Sequence, residues 1–175
     1  MVALVASGRG GTKIFQSYLD NHDQILMIPG FPLMYLYSHW ATWIEEVSGS
    51  LTWQRAIDLF CVKHGSVLDS RRVPGLTGLD SLGTQGDEYA GVDEQQFRRH
   101  LAAMLDGVPV ERRTFLLAVH YAYGLCKGWD LASKPVLFFH LHYAPYLKEL
   151  AEDFPDLKIV HMPRDIRSSL PSTVR

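Results

Sequence analysis

The start of the chain constrains the fold more than any other stretch. A short apolar run at residues 2–6 leads directly into the glycine-rich sequence SGRGGTK at residues 7–13. Apolar residues then recur at the spacing of a helix face, at Ile14, Phe15, Tyr18 and Leu19. A strand that passes through a glycine-rich turn into a helix presents backbone N–H groups and the positive end of the helix dipole to an anion. Because Arg9 and Lys13 add two full positive charges, we expect an anion-binding loop here.

Two well-known glycine loops do not fit this stretch. A P-loop for ATP or GTP requires Gly-Lys followed by Ser or Thr, whose hydroxyl binds magnesium, whereas Lys13 is followed by Ile14. A dinucleotide-binding loop requires the pattern G-x-G-x-x-G. Gly8 and Gly10 fit that pattern, but its third position is Lys13, whose side chain would obstruct close packing of the helix on the strand. The sequence therefore disfavours both interpretations.

A second motif, FPDLKIVHMPRD at residues 154–165, lies near the other end of the chain, and Ser172 follows its Arg164 by eight residues. Residues 7–13 resemble the 5′-phosphosulfate loop of sulfotransferases that use 3′-phosphoadenosine 5′-phosphosulfate (PAPS), and the Gly-Gly-Thr-Lys form is more similar to the carbohydrate branch of that family. The second motif resembles the family's 3′-phosphate strand–loop, in which an Arg ends a buried strand and a Ser follows. The two motifs stand in the family's order and frame nearly the whole chain.

The resemblance implies a P-loop nucleotide-hydrolase-like sulfotransferase fold. It also implies transfer of a sulfuryl group from the co-substrate PAPS to a hydroxyl of a carbohydrate or small lipid-like acceptor. The implied donor-binding residues are Ser7, Gly8, Arg9, Gly10, Gly11, Thr12 and Lys13 at the 5′ end, and Arg164 with Ser172, or else Ser168 or Ser169, at the 3′-phosphate. Arg9 and Lys13 are also expected to act in catalysis, since fixed cations and amides can stabilise the leaving phosphate without a metal.

The acceptor hydroxyl needs a base, which in this family is a His or a Glu. His142 lies 22 residues before Arg164, which matches the catalytic His of the cytosolic branch, and a neutral imidazole there can accept the hydroxyl proton. His140 is two residues earlier, on the same face of a strand, and is the second candidate. The carbohydrate branch instead places a Glu some way after the loop, where this chain has PGFP at residues 29–32 and no acidic group until Glu45. A structural role for His142 stays open.

Strands alternate with helices along the rest of the chain. The patterns predict strands at residues 2–6, 25–28, 134–142 and 157–161, and helices at residues 33–47, 53–64 and 111–127, from Asp93 onward and from Ala144 onward. Asp93 and Gln96 match the capping box at a helix start. This alternation predicts one three-layer α/β domain over residues 1–175, with a central parallel sheet and helices on both faces. In such sheets ligands bind beyond the carboxyl ends of the strands, which the candidate residues follow.

Composition excludes several classes of protein. A formal net charge of −2 without a basic run argues against nucleic acid as the main partner. Cys61 and Cys126 are too few for a disulfide framework or a zinc module, and we expect two free thiols, with a single bridge left open. A zinc site built on His140 and His142, with His120 or His161, is disfavoured because no acidic or thiol ligand lies nearby in the sequence. No signal peptide is visible, so a cytoplasmic location is the default.

Two stretches allow alternatives. Residues 24–44 carry no charge over a length that suits a bilayer, but PGFP at residues 29–32 interrupts them, which favours a buried strand and a buried aromatic helix over a transmembrane segment. The aromatic residues there belong to the core or line an acceptor pocket: Phe31, Tyr35, Tyr37, Trp40 and Trp43. Residues 68–91, rich in Gly and Pro, predict a long loop that is a binding lid or a disordered segment.

The function also has alternatives. The chain stops at Arg175, soon after the second motif, whereas the family usually continues with another third of the domain. We therefore expect a C-terminally incomplete domain, and an inactive nucleotide-binding fragment stays open beside the enzyme. A nucleotide-dependent kinase of P-loop type is the other alternative. The sequence does not indicate the acceptor or the oligomeric state.

Overall fold

A parallel β-sheet lies at the centre of the fold. A computed structural model describes residues 1–6, 11–30, 33–46, 50–75, 78–141 and 144–163. The strands are β1 (Val2–Ala6), β2 (Ile25–Met27), β3 (Val136–Leu141) and β4 (Lys158–Met162). They pair in the order β2-β3-β1-β4, and every pair is parallel. The α/β class and the parallel sheet predicted from the alternating pattern are confirmed.

Helices connect the strands where the sequence predicts them. They are α1 (Thr12–Leu19), α2 (Leu36–Glu46), α3 (Trp53–Lys63), α4 (Gly65–Leu68), α5 (Glu94–Leu105), α6 (Arg112–Cys126) and α7 (Leu147–Asp153). Short 3₁₀ turns occupy Ser70–Arg72, Leu131–Ser133 and Ala144–Tyr146. The predicted start of α5 is confirmed, since the Asp93 carboxylate accepts a hydrogen bond from the Gln96 N–H at 2.7 Å. No described helix is long and apolar enough to cross a membrane.

The two faces of the sheet carry unequal layers. On one face, Ala3 and Val5 of β1 and Phe139 of β3 join a large core that includes side chains from α2, α3, α5, α6 and α7. On the other face, Leu4, Met27 and Phe138 form a smaller core, against which Phe15 and Leu19 of α1 pack. The alternation of side chains along each strand produces this division. The connection after β1 therefore runs over one face through α1, and the connection after β3 runs over the opposite face through α7.

Strand β4 differs from the buried strand that the resemblance implies. It lies at the edge of the sheet, where β1 is its only described neighbour. Lys158 and His161 are exposed, and Ile159 retains 50% of its accessible surface. The expectation of a buried strand is wrong for the described chain because no described strand pairs with the outer side of β4 and no described helix buries Ile159.

The long loop predicted at residues 68–91 contains more structure than expected. Helix α4 and a 3₁₀ turn occupy its beginning, and an antiparallel bridge joins Asp69 to Gly91 across its base. The buried hydroxyl of Ser70 donates to the Leu79 carbonyl at 2.6 Å, and the Ser70 N–H donates to the Ala90 carbonyl at 2.9 Å. A Cβ at Gly91 would overlap the Leu68 carbonyl oxygen, so the closure needs glycine there. These bonds argue against a disordered segment over the described part of the loop.

Helix α2 supplies core residues more than pocket residues. Tyr37, Trp40 and Trp43 are buried in the large core, whereas Tyr35 is 42% exposed, and Phe31 lies outside the described residues. Of the two interpretations of these aromatic residues, core packing therefore holds for Tyr37, Trp40 and Trp43. Both cysteines are free thiols, as expected. Cys61 is the buried one, and burial raises its pKa to about 11.

One polar cluster joins three helices on the large-core face of the sheet. The Arg112 guanidinium on α6 makes paired hydrogen bonds to the Asp153 carboxylate on α7, at 2.7 and 3.1 Å. The Tyr37 hydroxyl on α2 donates to the same carboxylate at 2.8 Å, and the guanidinium lies 4.6 Å from the Tyr37 ring centre. Burial and the neighbouring carboxylate both raise the pKa of Tyr37, so its hydroxyl keeps its proton.

Removing one member of this cluster should destabilise the protein. Arg112→Met should lower the free energy of unfolding by about 2–3 kcal/mol, because it leaves a partly buried carboxylate without its charged partner. Tyr37→Phe should cost about 1 kcal/mol, the value of one hydrogen bond. Urea denaturation measures both changes. The control is Lys148→Met, which removes an exposed pair with Glu152 and should cost no more than about 0.5 kcal/mol. A loss for Arg112→Met no larger than for the control would contradict a stabilising role.

Candidate functional site

The carboxyl edge of the sheet offers a crevice between β1 and β3. These strands are direct neighbours, with Val5 opposite Leu141 at their carboxyl ends. The chain leaves β1 toward α1 on one face and leaves β3 toward α7 on the other. In open α/β sheets such a reversal separates the two connections and leaves room for a ligand beyond the strand ends. Residues 7–11 and residue 142 follow these two strands in the chain.

The strand order gives a second reason against a dinucleotide-binding fold. In that fold the second strand pairs with the first, in the order 3-2-1-4-5-6. Here β3 lies between β1 and β2. The order therefore agrees with the sequence in disfavouring a nicotinamide or flavin dinucleotide as the ligand.

The two sequence motifs leave the sheet from neighbouring strands. Ala6 at the end of β1 is paired with Met162 at the end of β4. Ser7 follows Ala6 directly, and Arg164 follows Met162 by two residues. Several predicted site residues lie outside the described residues: Ser7, Gly8, Arg9, Gly10, His142, Arg164, Ser168, Ser169 and Ser172. The described part of the site consists of Gly11, Thr12, Lys13 and His140.

Helix α1 begins at this edge of the sheet. Gly11 is the N-cap residue, and its φ of 79° is a left-handed conformation that favours glycine. The first helical bond runs from the Phe15 N–H to the Gly11 carbonyl at 3.1 Å. Among the described residues, Gly11 offers no side-chain cap to this terminus, and the first turn of α1 carries no acidic residue. A helix start with these properties favours an anion through its N–H groups and its dipole.

Beside the helix start, a narrow cleft separates α1 from the turn after β2. Its volume is about 70 Å³. Exposed Lys13 and Asp20 line it on the α1 side, Gly30 lines it on the β2 side, and Leu79 of the 68–91 loop reaches it as well. A lid role for that loop, as the sequence suggests, therefore has a point of contact near the candidate site. The cleft carries the charged residues Lys13 and Asp20, but the larger part of its lining surface is apolar.

His140 is buried at the end of β3 and contacts α1. It is 5% exposed, and its Nδ1 lies 3.1 Å from Nε2 of Gln16. Gln16 is itself 3% exposed, and the same Nε2 donates to the Thr12 carbonyl at 3.3 Å. Both side chains line a small cavity together with Gly30 and His120. His140 therefore lies in a small cavity between α1 and the carboxyl ends of β2 and β3.

Gln16 is a buried polar residue beside the candidate site that the sequence analysis missed. The predicted apolar face of α1 included Ile14 and Tyr18, but these are 65% and 80% exposed. The inner face consists of Phe15, Gln16 and Leu19, because α1 touches the sheet along one narrow stripe. The sequence did contain a signal for Gln16. It lies three positions before Leu19 and therefore on the same, buried side of α1.

His120 approaches the same cavity from α6, on the large-core side. Its Nδ1–H donates to the Leu116 carbonyl at 2.8 Å, and its ring meets the edge of Phe139. Burial lowers its pKa to about 4, so the ring is neutral at physiological pH. His120 and Tyr123 are both buried side chains of α6.

The zinc alternative gains no support. Over the described ranges, no group of three His, Cys, Asp or Glu side chains is arranged to hold a metal ion. His161 is exposed on β4, and His120 is hydrogen-bonded to its own helix.

Comparisons with known proteins give no match: no family model matches the chain, and no curated protein or solved structure is significantly similar to it. The chemistry and the placement of the residues therefore carry any functional assignment.

The buried neutral state of His120 makes stability depend on pH. Its folded pKa is about 4 against an ordinary 6.5, so between these values only the unfolded chain takes up a proton. The stability that the folded protein gains from a neutral His120 is therefore complete above about pH 6.5 and is lost as the pH falls toward 4. Between about pH 7 and about pH 5, the free energy of unfolding should fall by about 2 kcal/mol more in the wild type than in His120→Gln. Urea denaturation at the two pH values measures the difference.

Val119→Ala is the control for this measurement, because it weakens packing at a buried neighbour on α6 without removing a titratable group. This variant should keep the pH dependence of the wild type. Equal pH dependence in the wild type and His120→Gln would contradict a buried neutral His120.

Proposed function

We propose that this protein is a PAPS-dependent sulfotransferase, which transfers a sulfuryl group to a hydroxyl of a carbohydrate or small lipid-like acceptor. The observation that supports this proposal best is the pairing of β1 with β4. Strand β1 precedes the glycine-rich loop, strand β4 leads to Arg164 within the second motif, and Ala6 and Met162 are partners in the sheet. Neighbouring parallel strands lie about 5 Å apart. Two motifs that follow such strands begin close enough together to hold opposite phosphates of one adenosine nucleotide.

The start of α1 supports the 5′ end of this nucleotide site. Gly11 and Thr12 open the helix, and its first turn has neither a side-chain cap nor an acidic residue. The phosphosulfate is bound by the N–H groups of the glycine loop together with Arg9 and Lys13. A guanidinium at Arg9 can hold two oxygens through paired donors, whereas Lys13 supplies a compact charge. Arg164 and Ser172 bind the 3′-phosphate.

The proposed chemistry is an in-line transfer at sulfur. The acceptor oxygen forms a bond to sulfur while the bond between sulfur and the bridging phosphate oxygen breaks. The electron pair of the broken bond leaves with the 5′-phosphate of adenosine 3′,5′-bisphosphate, where Arg9, Lys13 and the loop amides stabilise the charge. The hydroxyl proton passes to His142, the proposed base. The proposed reaction therefore requires Arg9 and Lys13 at the donor and an unprotonated His142 at the acceptor hydroxyl.

A nucleotide-dependent kinase of P-loop type is the second candidate. Its P-loop would need a hydroxyl immediately after Lys13 to bind magnesium. That position is Ile14, whose side chain is 65% exposed on α1. This residue favours a sulfuryl donor over a magnesium nucleotide.

Ligand-induced stabilisation separates these two candidates. Adenosine 3′,5′-bisphosphate at 100 times its Kd should raise the free energy of unfolding by about 2.7 kcal/mol, because it binds only the folded chain. ATP with magnesium should give no comparable shift in Tm. The reverse preference would contradict the sulfotransferase and favour the kinase.

Two arginines provide a sharper test of the shared site. Arg9→Ala and Arg164→Ala should each raise the Kd of adenosine 3′,5′-bisphosphate about 10- to 100-fold, because each removes charge-assisted hydrogen bonds to a phosphate. Arg99→Ala, at an exposed position of α5, is the matched control and should leave the Kd unchanged. Calorimetric titration measures the constants. An effect of only one of the two arginines would argue against a nucleotide held by both motifs.

The base is tested by turnover. His142→Ala should lower kcat about 10²- to 10⁴-fold, the usual contribution of a general base, while the Kd of adenosine 3′,5′-bisphosphate stays the same. Transfer of labelled sulfate from PAPS to a panel of hydroxyl acceptors gives the rate. Unchanged turnover in this variant would make the assignment of His142 wrong. Nucleotide binding without transfer to any acceptor would instead favour the inactive fragment.

A further inference from the structure

A groove of about 520 Å³ lies at the base of the 68–91 loop. This volume is typical of sites that bind small molecules, which measure about 300–1,000 Å³. The groove shares no lining residue with the narrow cleft beside Lys13 or with the small cavity beside His140. Its lining comes from the end of α4, the 3₁₀ turn after it, the end of the loop and the start of α5, and includes Leu68, Asp69, Arg72, Tyr89, Asp93 and Glu94.

Hydrogen bonds hold the walls of this groove in place. The Val92 N–H donates to the Leu68 carbonyl at 2.9 Å, which fixes the end of the loop against α4. The Arg71 guanidinium makes paired hydrogen bonds to the Asp69 carboxylate at 3.0 and 2.8 Å, and it lies 3.5 Å from the centre of the Tyr89 ring. A site that is held in one shape loses little conformational entropy when a ligand binds.

The charges that line the groove are largely offset by their neighbours. Arg71 pairs with Asp69 at 2.8 Å, and Arg72 pairs with Glu94 at 2.6 Å. Asp93 precedes the first turn of α5, where the positive end of the helix dipole offsets its charge. Over the described ranges no group of acidic side chains is arranged to hold a metal ion. The groove therefore favours a neutral polar ligand over an ion.

Donors and acceptors remain available on these groups. One Asp93 oxygen accepts from the Gln96 N–H at 2.7 Å, and the other has no partner among the described residues. The Arg72 guanidinium has five N–H donors, and the Glu94 carboxylate engages one of them. A sugar hydroxyl both donates and accepts, so a carboxylate beside a guanidinium matches adjacent hydroxyls of a pyranose ring.

Tyr89 supplies a surface for the apolar part of such a ring. A pyranose carries C–H groups on its faces, and these pack against aromatic side chains. Tyr89 lines the groove and is 45% exposed, although it is held by the contact with Arg71. An exposed aromatic ring with paired polar groups beside it is suited to a ligand that is apolar on its faces and polar at its rim.

We propose that this groove binds a neutral saccharide of one or two pyranose rings. Its hydroxyls donate to the second Asp93 oxygen and accept from the Arg72 guanidinium, while one ring face packs on Tyr89. This binding site goes beyond the proposed function, because none of the residues proposed for the nucleotide or for the base lines the groove. Saccharide binding is measured without PAPS, so a failure of sulfuryl transfer does not decide it.

Titration of the ¹⁵N-labelled full chain, followed by NMR, tests the groove with probes that differ in charge. The neutral probes are methyl glucoside, methyl galactoside and lactose, and the charged probes are glucosamine and glucuronate. At least one neutral sugar should shift the amide signals of Gly91 and Val92, with a Kd on the order of 1 mM from a few hydrogen bonds and one ring contact. A stronger response to a charged probe, or none to any neutral sugar, would overturn the proposal.

Asp93→Asn tests the hydrogen bonding without removing the helix cap. Asparagine keeps one oxygen for the Gln96 N–H but replaces the second carboxylate oxygen with an NH₂ donor. The Kd of the tightest neutral sugar should rise about tenfold while the Tm stays close to that of the wild type. Asp130→Asn is the matched control, since Asp130 accepts from the Ala132 N–H at 3.0 Å in the same way, away from the groove. Equal Kd values for Asp93→Asn and the wild type would overturn the proposal.

Tyr89→Ala tests the ring contact. This variant should raise the Kd of the same sugar about threefold to tenfold, because it removes the aromatic surface. Tyr121→Ala, at a tyrosine of α6 that is 37% exposed and does not line the groove, should leave the Kd unchanged. The same Kd in both variants would overturn the proposal.

Discussion

The position of β1 between β3 and β4 is the constraint on which the rest of the structure depends. Ala3 and Leu4 of this strand are completely buried, and its backbone groups pair with a parallel strand on each side. Parallel neighbours need long crossover connections, and these carry the chain back over the faces of the sheet. The carboxyl ends of all the strands therefore meet at one edge. Residues far apart in the sequence, such as Gln16 and His140, come into contact for this reason.

Polar clusters join the helices to one another. Arg112, Asp153 and Tyr37 join α6, α7 and α2 where the large core meets its outer layer. A second cluster joins α3 and α5 to the 68–91 loop, since Arg98 contacts both Asp58 and Glu94, and Arg72 contacts Glu94 as well. These arginines hold the pKa of the Glu94 carboxyl below its usual range. A site needs such support because its side chains act only while the elements under them keep their positions.

The sequence predicted those parts of the fold that depend on periodicity. The strand at β3 and the capped start of α5 follow from patterns that operate within a few residues. It did not predict the exposure of β4, because burial of a strand depends on what lies beside it in the sheet. It also missed the hydrogen bond from Gln16 to His140, which joins residues 124 positions apart. Local patterns carry no information on such a pair, whereas the motifs at residues 7–13 and 154–165 were visible because each is continuous.

The contact between Gln16 and His140 bears on the choice of the proposed base. A base must present an unprotonated nitrogen to the hydroxyl. Nδ1 of His140 lies 3.1 Å from the Gln16 amide nitrogen, which also donates to the Thr12 carbonyl, so this ring nitrogen already accepts a hydrogen bond. The contact therefore favours His142 over His140 as the proposed base. It exists because the strand order places β3 beside β1, so that α1, which follows β1 in the chain, packs against β3.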